Sequence, residues 1–366
     1  MNFLVRALRV GLACCSFGLA VSGRAKTMTW HTANGATVDG EINGVYGSLI
    51  HLTGHHKGRF VGLETLTDEE TRRVADYLKQ FPDNSTWENS RAGVTRTLRG
   101  SLQILQDDKL VPYDPAAKTE PQVYLIYFSA GWCGPCHRFT PSLVEFYTRL
   151  RAALPHQFEI IYVSDDRNSD EQLSYVREFK MPWPVLKYSE VGHAPIVERW
   201  AGDGIPCLVA LTRDGDLIFH TYAGEEYLGP QVVVDAIERL AAPLAGTDPA
   251  IRRARHRLAV MQYLDAVGSG SSPAQPYLVF MDAKRLGDVT IPKTTVRLDI
   301  DVGGRVTNLE FDEAVGPVLA GLIQDDIRQW LFLPAVRDGK ASAANVRVPI
   351  EMTRPSAPLP VAAAGS

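Results

Sequence analysis

Val123-Tyr124-Leu125-Ile126-Tyr127-Phe128 and, four residues on, Trp132-Cys133-Gly134-Pro135-Cys136 join two segments of different period. The first is an unbroken apolar run, the pattern of a strand buried on both faces. From Cys136 to about Ala153 the apolar residues recur with helical spacing. Two cysteines separated by two residues at a strand-to-helix turn signal a redox pair. Cys133 falls at the helix N-terminus, where unpaired N–H groups and the helix dipole favour a thiolate. Cys136 lies one turn further on the same face, close enough for the two to form a disulfide. Pro135 suits the first helical turn, because the N–H it lacks would be unpaired there.

Outward from this turn, 158–164 reads as a strand and 169–179 as a helix, which Met181-Pro182-Trp183-Pro184 breaks. A strand over 207–212, the turn Asp214-Gly215, a strand over 217–222 and a helix over 231–240 follow. Strands alternating with helices, then a hairpin and a helix, predict an α/β layer over residues 97–245.

The flanks read differently. Residues 27–80 form a small β module, with a hairpin over 30–39 turning at Asn34-Gly35 and short strands over 48–53 and 59–63. Thr67-Asp68-Glu69-Glu70 is a capping box that opens a helix to Leu78. Residues 81–96 are polar and turn-rich, and read as a linker. In 246–274, Asp248-Pro249 caps a helix whose Arg252, Arg253, Arg255 and Arg257 read as a solvated basic face, and 268–275 reads as flexible linker. In 275–355, strands over 295–302 and 305–311 flank Gly303-Gly304. Leu319, Leu322, Ile323, Ile327 and Trp330 then make one apolar helix face. Residues 356–366 read as a disordered tail.

The chain has 366 residues and a formal charge of −4. With no basic excess, nucleic acid is not expected as a partner. Arg6 and Arg9 precede an apolar run over 10–21, and small residues follow, with cleavage expected after Gly23 or Ala25. This is the pattern of a secretory signal over 1–25, too short for a spanning helix, which needs ~20 apolar residues. A lipoprotein site at Cys14 fits less well, since Gly11 stands where a larger aliphatic residue is expected. Cleavage after Ala25 would remove Arg6, Arg9 and Arg24 and no acid, moving the formal charge from −4 to −7. Of five cysteines, Cys133, Cys136 and Cys207 would remain. One pair and one leftover thiol do not make a structural disulfide framework.

The motif, Pro141 within the following helix and Ile205-Pro206 before the strand at Cys207 together resemble the thioredoxin family. Phe128-Ser129-Ala130-Gly131-Trp132-Cys133, Phe139-Thr140-Pro141, Val163-Ser164-Asp165-Asp166 and Met181-Pro182-Trp183 are similar to the tryparedoxin and nucleoredoxin branch. The resemblance implies a central thioredoxin fold, a mixed sheet flanked by helices. It implies that Cys133 attacks a substrate disulfide and that Cys136 resolves the mixed disulfide. It also implies that Trp132, Gly134, Pro135, Ile205 and a cis Pro206 form the substrate surface, the Ile205 backbone pairing with an extended chain. One departure stands out. Thioredoxin carries a buried Asp six residues before its first cysteine and a Lys partner. Tyr127 and, in ungapped reading, Tyr162 occupy those positions. A tyrosine with a pKa near ~10 is a poor base, so Cys136 is expected to lose its proton to water or a polar neighbour. The N-terminal module resembles SH3-like β modules of exported bacterial proteins. Trp330-Leu331-Phe332-Leu333-Pro334-Ala335 with Asp338-Gly339-Lys340 resembles the α+β C-terminal domain of TonB-type transducers, a binding module.

Other readings compete. Cys133-Gly134-Pro135-Cys136-His137 matches a c-type haem attachment string, but this leaves Trp132, Pro141 and Ile205-Pro206 without a role. Zinc needs two further ligands at suitable spacing. His55 and His56 suit a solvated turn better than a metal site. His137 is expected to be an exposed helix residue that helps the Cys133 thiolate electrostatically. Cys207 is either a third redox thiol or a small apolar core residue, and Trp183 either a substrate contact or packing. A redox-inactive binding scaffold is the alternative from another class. The expectation is an exported thiol–disulfide oxidoreductase, periplasmic or secreted, that needs no metal or cofactor beyond a redox-active Cys133–Cys136 disulfide. Its partners would be protein disulfides, a membrane electron donor and a protein bound by the C-terminal domain. The Gly-Pro dipeptide resembles reducing thioredoxins, near ~−270 mV against about −120 mV for DsbA-type oxidants, so reduction is favoured over oxidation or isomerisation.

Overall fold

The computed structural model describes residues 28–352, apart from 54–58, 84, 114–117, 154–157, 242–247, 283–285, 287–289 and 312–314. The expected signal over 1–25, Cys14, the His55-His56 pair and the tail over 356–366 lie outside the described residues. Among the described residues, no helix is long and apolar enough to cross a membrane.

A seven-stranded mixed sheet forms the centre. One of its interior strands, Val123–Ser129, is buried at every position. Phe158–Ser164 runs parallel on one side and Cys207–Thr212 antiparallel on the other. Beyond Cys207–Thr212 lies Leu217–His220, and beyond Phe158–Ser164 come the short Val185–Leu186 and the hairpin Leu102–Gln106 and Lys109–Pro112. Strand alternation divides the core. Leu125 and Tyr127 share one cluster with Leu143 and Phe146 of the helix Gly134–Ala153 and with Val233 and Ile237 of the helix Gln231–Ala241. Tyr124, Ile126 and Phe128 pack on the other face with Val94, Leu98 and Ile196. The Leu102–Pro112 hairpin has no counterpart in the sequence reading. Its turn residues Asp107 and Asp108 both have positive φ, 47° and 59°, a turn usually signalled by glycine or asparagine.

The polar stretch 81–96 is not a free linker. Trp87 is buried against Tyr124, Asp83 pairs with Arg213 at 2.7 Å, and a short helix, Gly93–Leu98, supplies Val94 and Leu98 to the core. One buried aromatic among polar residues leaves no periodic signal.

In the N-terminal module, Thr29–His31 and Thr37–Asp39 form the expected hairpin, and Glu41–Tyr46, Leu49–Thr53 and Arg59–Gly62 form a three-stranded antiparallel sheet. Thr67 caps the helix Asp68–Gln80 through Glu70 N–H, but the Glu70 carboxylate accepts from His31 N–H at 3.1 Å rather than closing the box.

The helix Pro249–Val267 is capped by Asp248 as expected. Of the four arginines expected on a solvated face, only Arg253 is exposed; Arg252 is buried and Arg255 and Arg257 are half-buried. Ala254 and Leu258 pack with Trp30, Leu63 and Val74 of the N-terminal module. On the other side His256 Nε2 lies 2.7 Å from Phe332 O of the C-terminal module. Arg252 is buried over the Phe280 ring and reaches Gln329, and Arg257 pairs with Asp68 at 2.9 Å. A helix with neighbours on both sides turns arginine stems into packing surface. The segment after it is also pinned, not flexible. Ser272 and Val336 exchange two backbone hydrogen bonds, and Gln275–Leu278 pairs with Leu331–Leu333.

The C-terminal module is a three-stranded antiparallel sheet, Val306–Phe311, Ile291–Ile300 and Ala344–Met352, with the helix Pro317–Ile327 packed on it through Ile323 and Ile327. A hairpin, Ala335–Arg337 with Lys340–Ser342, turns at Asp338-Gly339.

Candidate active site

The sheet holds Ser129 at the end of the strand Val123–Ser129, and Ala130-Gly131-Trp132 turns the chain into the helix Gly134–Ala153. Cys133 and Cys136 are joined as a disulfide, with Cα atoms 5.2 Å apart. Cys133 is 4 % exposed and Cys136 fully buried, while Gly134 and Pro135 are exposed. Cys133 stands where a serine or aspartate cap would stand, and its Sγ accepts from Cys136 N–H at 3.2 Å. Pro135 has no N–H to leave unpaired. In the reduced state the same donor and helix dipole would stabilise a Cys133 thiolate. Pro141 lies inside the helix, as expected from the sequence.

Ile205 and Pro206 come from the loop before Cys207–Thr212, and their peptide bond is cis. Ile205 O lies 3.7 Å from Cys133 Sγ. Trp132 is 55 % exposed, and its indole N–H donates to Asp165 O at 2.9 Å. Gly131 N–H donates to Asp166 Oδ1 at 2.7 Å, which ties the motif turn to the neighbouring strand end. All seven sequence-predicted site residues therefore meet at one end of the sheet.

Behind Cys136 lies a buried hydroxyl network that the sequence reading did not assemble. Thr140 Oγ1 donates to Cys136 O at 2.8 Å, so it accepts from both Tyr127 Oη at 2.8 Å and Tyr175 Oη at 2.6 Å. Ser129 Oγ lies 3.1 Å from Tyr175 Oη. Tyr162 Oη donates to Ser129 O and Asp166 Oδ2, both at 3.1 Å. Burial pushes the Tyr127 and Tyr162 phenols well above their ordinary range, so neither is a base at neutral pH. Burial, with Asp166 beside it, also raises the Asp165 carboxyl. His137 is half-buried rather than exposed. Its Nε2 lies 2.6 Å from Gly131 O and its Nδ1 3.3 Å from Glu178 Oε1, with the ring against Tyr175 and Phe179.

Two residues fall outside the site. Cys207 packs on the opposite face of the sheet from Cys136, opposite Phe128 in register and among Val209 and Ile196. Burial pushes its thiol up to about 11. Trp183 is fully buried, edge-on to Tyr127 and Tyr147, and serves packing. Among the described residues no cluster of three or more His, Cys, Asp or Glu is arranged to hold a metal.

The Thioredoxin-like family profile matches residues 121–217. Tryparedoxin of Trypanosoma brucei brucei is 35% identical over 133 residues, 36% of this chain and 88% of that protein. The chain belongs to the thioredoxin-like family. Nucleoredoxin of Bos taurus is 40% identical over 94 residues, 25% of this chain and 21% of that protein. Probable nucleoredoxin 1 of Arabidopsis thaliana is 37% identical over 94 residues, 26% of this chain and 16% of that protein. The chain thus spans only those small shares of the nucleoredoxins it matches. The solved tryparedoxin I from Leishmania major aligns at 30% identity over 36% of this chain and 87% of its own, with a TM-score of 0.29. In this thioredoxin-like chain, family membership supports a thiol–disulfide redox role for the site.

Proposed function

We propose that the protein is an exported thiol–disulfide oxidoreductase that reduces protein disulfides through Cys133 and Cys136. The observation that carries this reading is the Cys133–Cys136 disulfide at a helix N-terminus, facing the Ile205 carbonyl beside the exposed Trp132. In the reduced protein, the Cys133 thiolate attacks one sulfur of a substrate disulfide. A bond forms between Cys133 and that sulfur, and the other substrate sulfur leaves as a thiolate and takes a proton. The Cys136 thiolate then attacks Cys133 Sγ, closing the internal disulfide and releasing the second substrate thiolate. Two electrons pass to the substrate, and a dithiol donor restores Cys133 and Cys136. With Tyr127 and Tyr162 held as neutral phenols, the Cys136 proton leaves to water or a polar neighbour.

The Gly134-Pro135 dipeptide supports reduction as the direction, with oxidation or isomerisation as the alternative. Electrons would come from a membrane donor. The basic and apolar N-terminal pattern supports export to the periplasm or beyond, with cleavage near residue 25. The terminal modules read as SH3-like and TonB-like units, and the C-terminal one as a site for a protein partner.

Turbidity from insulin reduction by dithiothreitol tests the activity. The mature protein should accelerate it and Cys133→Ser should not. Equal rates with and without wild-type protein would leave a binding scaffold. Mass spectrometry of the mature N-terminus tests export.

A further inference from the structure

Beside Cys133 the chain builds a feature that the redox reading leaves unused. After the edge strand Leu217–His220, Tyr222–Ala223 pairs with Glu226–Tyr227 in a small hairpin. Tyr222 and Tyr227 are register partners whose rings meet edge-to-face with centroids 5.1 Å apart. Both hydroxyls reach the 204–206 loop. Tyr222 Oη donates to Gly204 O at 3.3 Å, and Tyr227 Oη donates to Pro206 O at 3.1 Å. Between the two held carbonyls stands Ile205, whose own carbonyl lies 3.7 Å from Cys133 Sγ.

The rest of the loop accommodates these bonds. A Cβ on Gly202 would lie 2.4 Å from Tyr222 Cε2, so the absence of a side chain there makes room for the ring. Tyr222 N–H donates to His220 Nδ1 at 2.9 Å, which anchors the start of the hairpin. Tyr227 keeps 48 % of its surface exposed although its hydroxyl is engaged.

A peptide unit is planar, with its C=O and N–H pointing in opposite directions when trans. Gly204 C=O and Ile205 N–H belong to one such unit. A hydroxyl that holds Gly204 O therefore also sets the direction of Ile205 N–H. Pro206 C=O belongs to the next unit but one, so Tyr227 fixes the exit of the loop into the core strand. Together the two tyrosines orient the Ile205 main chain beside the nucleophile.

We propose that Tyr222 and Tyr227 are positioning residues that set the Ile205 main chain to pair with an extended polypeptide, and so select polypeptide disulfides over small ones. The proposal rests on the redox reading above. A polypeptide adds main-chain hydrogen bonds to its encounter with Ile205, as an added strand does at a sheet edge. A small disulfide without amides has nothing to pair there and does not read the orientation of the loop.

The test uses the full mature chain with Tyr222→Phe, Tyr227→Phe and the double variant. Two substrates are compared, insulin and hydroxyethyl disulfide. Loss of one oriented hydrogen bond lowers the ratio of kcat/KM for insulin to that for hydroxyethyl disulfide about fivefold in Tyr222→Phe, chiefly through KM. Tyr227→Phe moves the ratio the same way by about two- to threefold, and the double variant by at least as much as either. A double variant whose ratio stays within about twofold of wild type, or in which both substrates slow together, overturns the proposal. If Tyr222→Phe does not fold, Tyr227→Phe decides alone, a ratio indistinguishable from wild type overturning the proposal, its ring being half exposed. A wild-type protein that turns over neither substrate defeats the redox reading instead, and is seen before any variant is made.

Discussion

Cys136 and Cys207 are both fully buried, and the strands beside them are hydrogen-bonded neighbours, yet the two faces of the sheet treat them differently. On one face Cys136 lies in a helix that begins just past the end of Val123–Ser129, bonded to a sulfur that caps the helix. On the other, Cys207 lies among Phe128, Val209 and Ile196, where burial pushes its thiol up to about 11. Burial alone does not make a thiol inert or reactive. What differs is the nearby helix N-terminus and a partner one turn away.

The largest effect expected from this contrast is on turnover. Cys133→Ser should reduce insulin reduction to the uncatalysed background, and Cys136→Ser should accumulate a mixed disulfide visible by mass. Cys207→Ser should do neither, and a mixed disulfide through Cys207 would erase the distinction between the faces. Alkylation sharpens the comparison. At pH 7 a thiol titrating at about 11 is ionised in about one molecule in ten thousand. Iodoacetamide added to the reduced native protein should label Cys133 and spare Cys207 until the chain is unfolded.

Behind Cys136 a smaller effect is expected. Tyr127→Phe removes one hydrogen bond to Thr140, about 1 kcal/mol, so the resolving step should slow less than about tenfold. A hundredfold loss, read by rapid quench of the mixed disulfide, would make the phenol part of the proton path. On the far face, Cys207→Ser replaces a buried thiol by a smaller, more polar group and should cost roughly 1–3 kcal/mol in denaturant unfolding, with turnover kept.

The smallest effect concerns pH. Burial lowers the pKa of His51, whose ring stacks on Phe60, and of His256. A histidine with a folded pKa below its unfolded value binds more protons when unfolded, so stability rises with pH across that window. The melting temperature should therefore fall as pH drops below about 6.5 toward the depressed folded values. His51→Gln should flatten that slope, and an unchanged slope would remove His51 from it.

The middle of the fold was legible because its signals are local. An unbroken apolar run predicted a strand buried on both faces, and Val123–Ser129 is one. Cysteine spacing at the strand-to-helix turn predicted the pair, and Asp248-Pro249 predicted a helix start. What escaped depends on neighbours remote in sequence. Trp87 is buried by Tyr124, and Arg252 by Phe280 and Gln329. Thr140 meets Tyr175 from 35 residues away. The Asp107-Asp108 turn escaped because its residues adopt positive φ without the glycine that announces such turns. Tyr222 and Tyr227 carry no motif, and only the pairing of their strands brings two hydroxyls to the loop beside Cys133.

The most direct test of the account is an equilibrium redox titration of Cys133–Cys136 in the mature protein, with Cys207→Ser as the background. One reversible two-electron couple is expected near the reducing end of the family, at roughly −270 mV, unchanged by Cys207→Ser. A couple near about −120 mV would contradict reduction and make the protein a disulfide donor. No reversible couple at all would contradict the redox role itself.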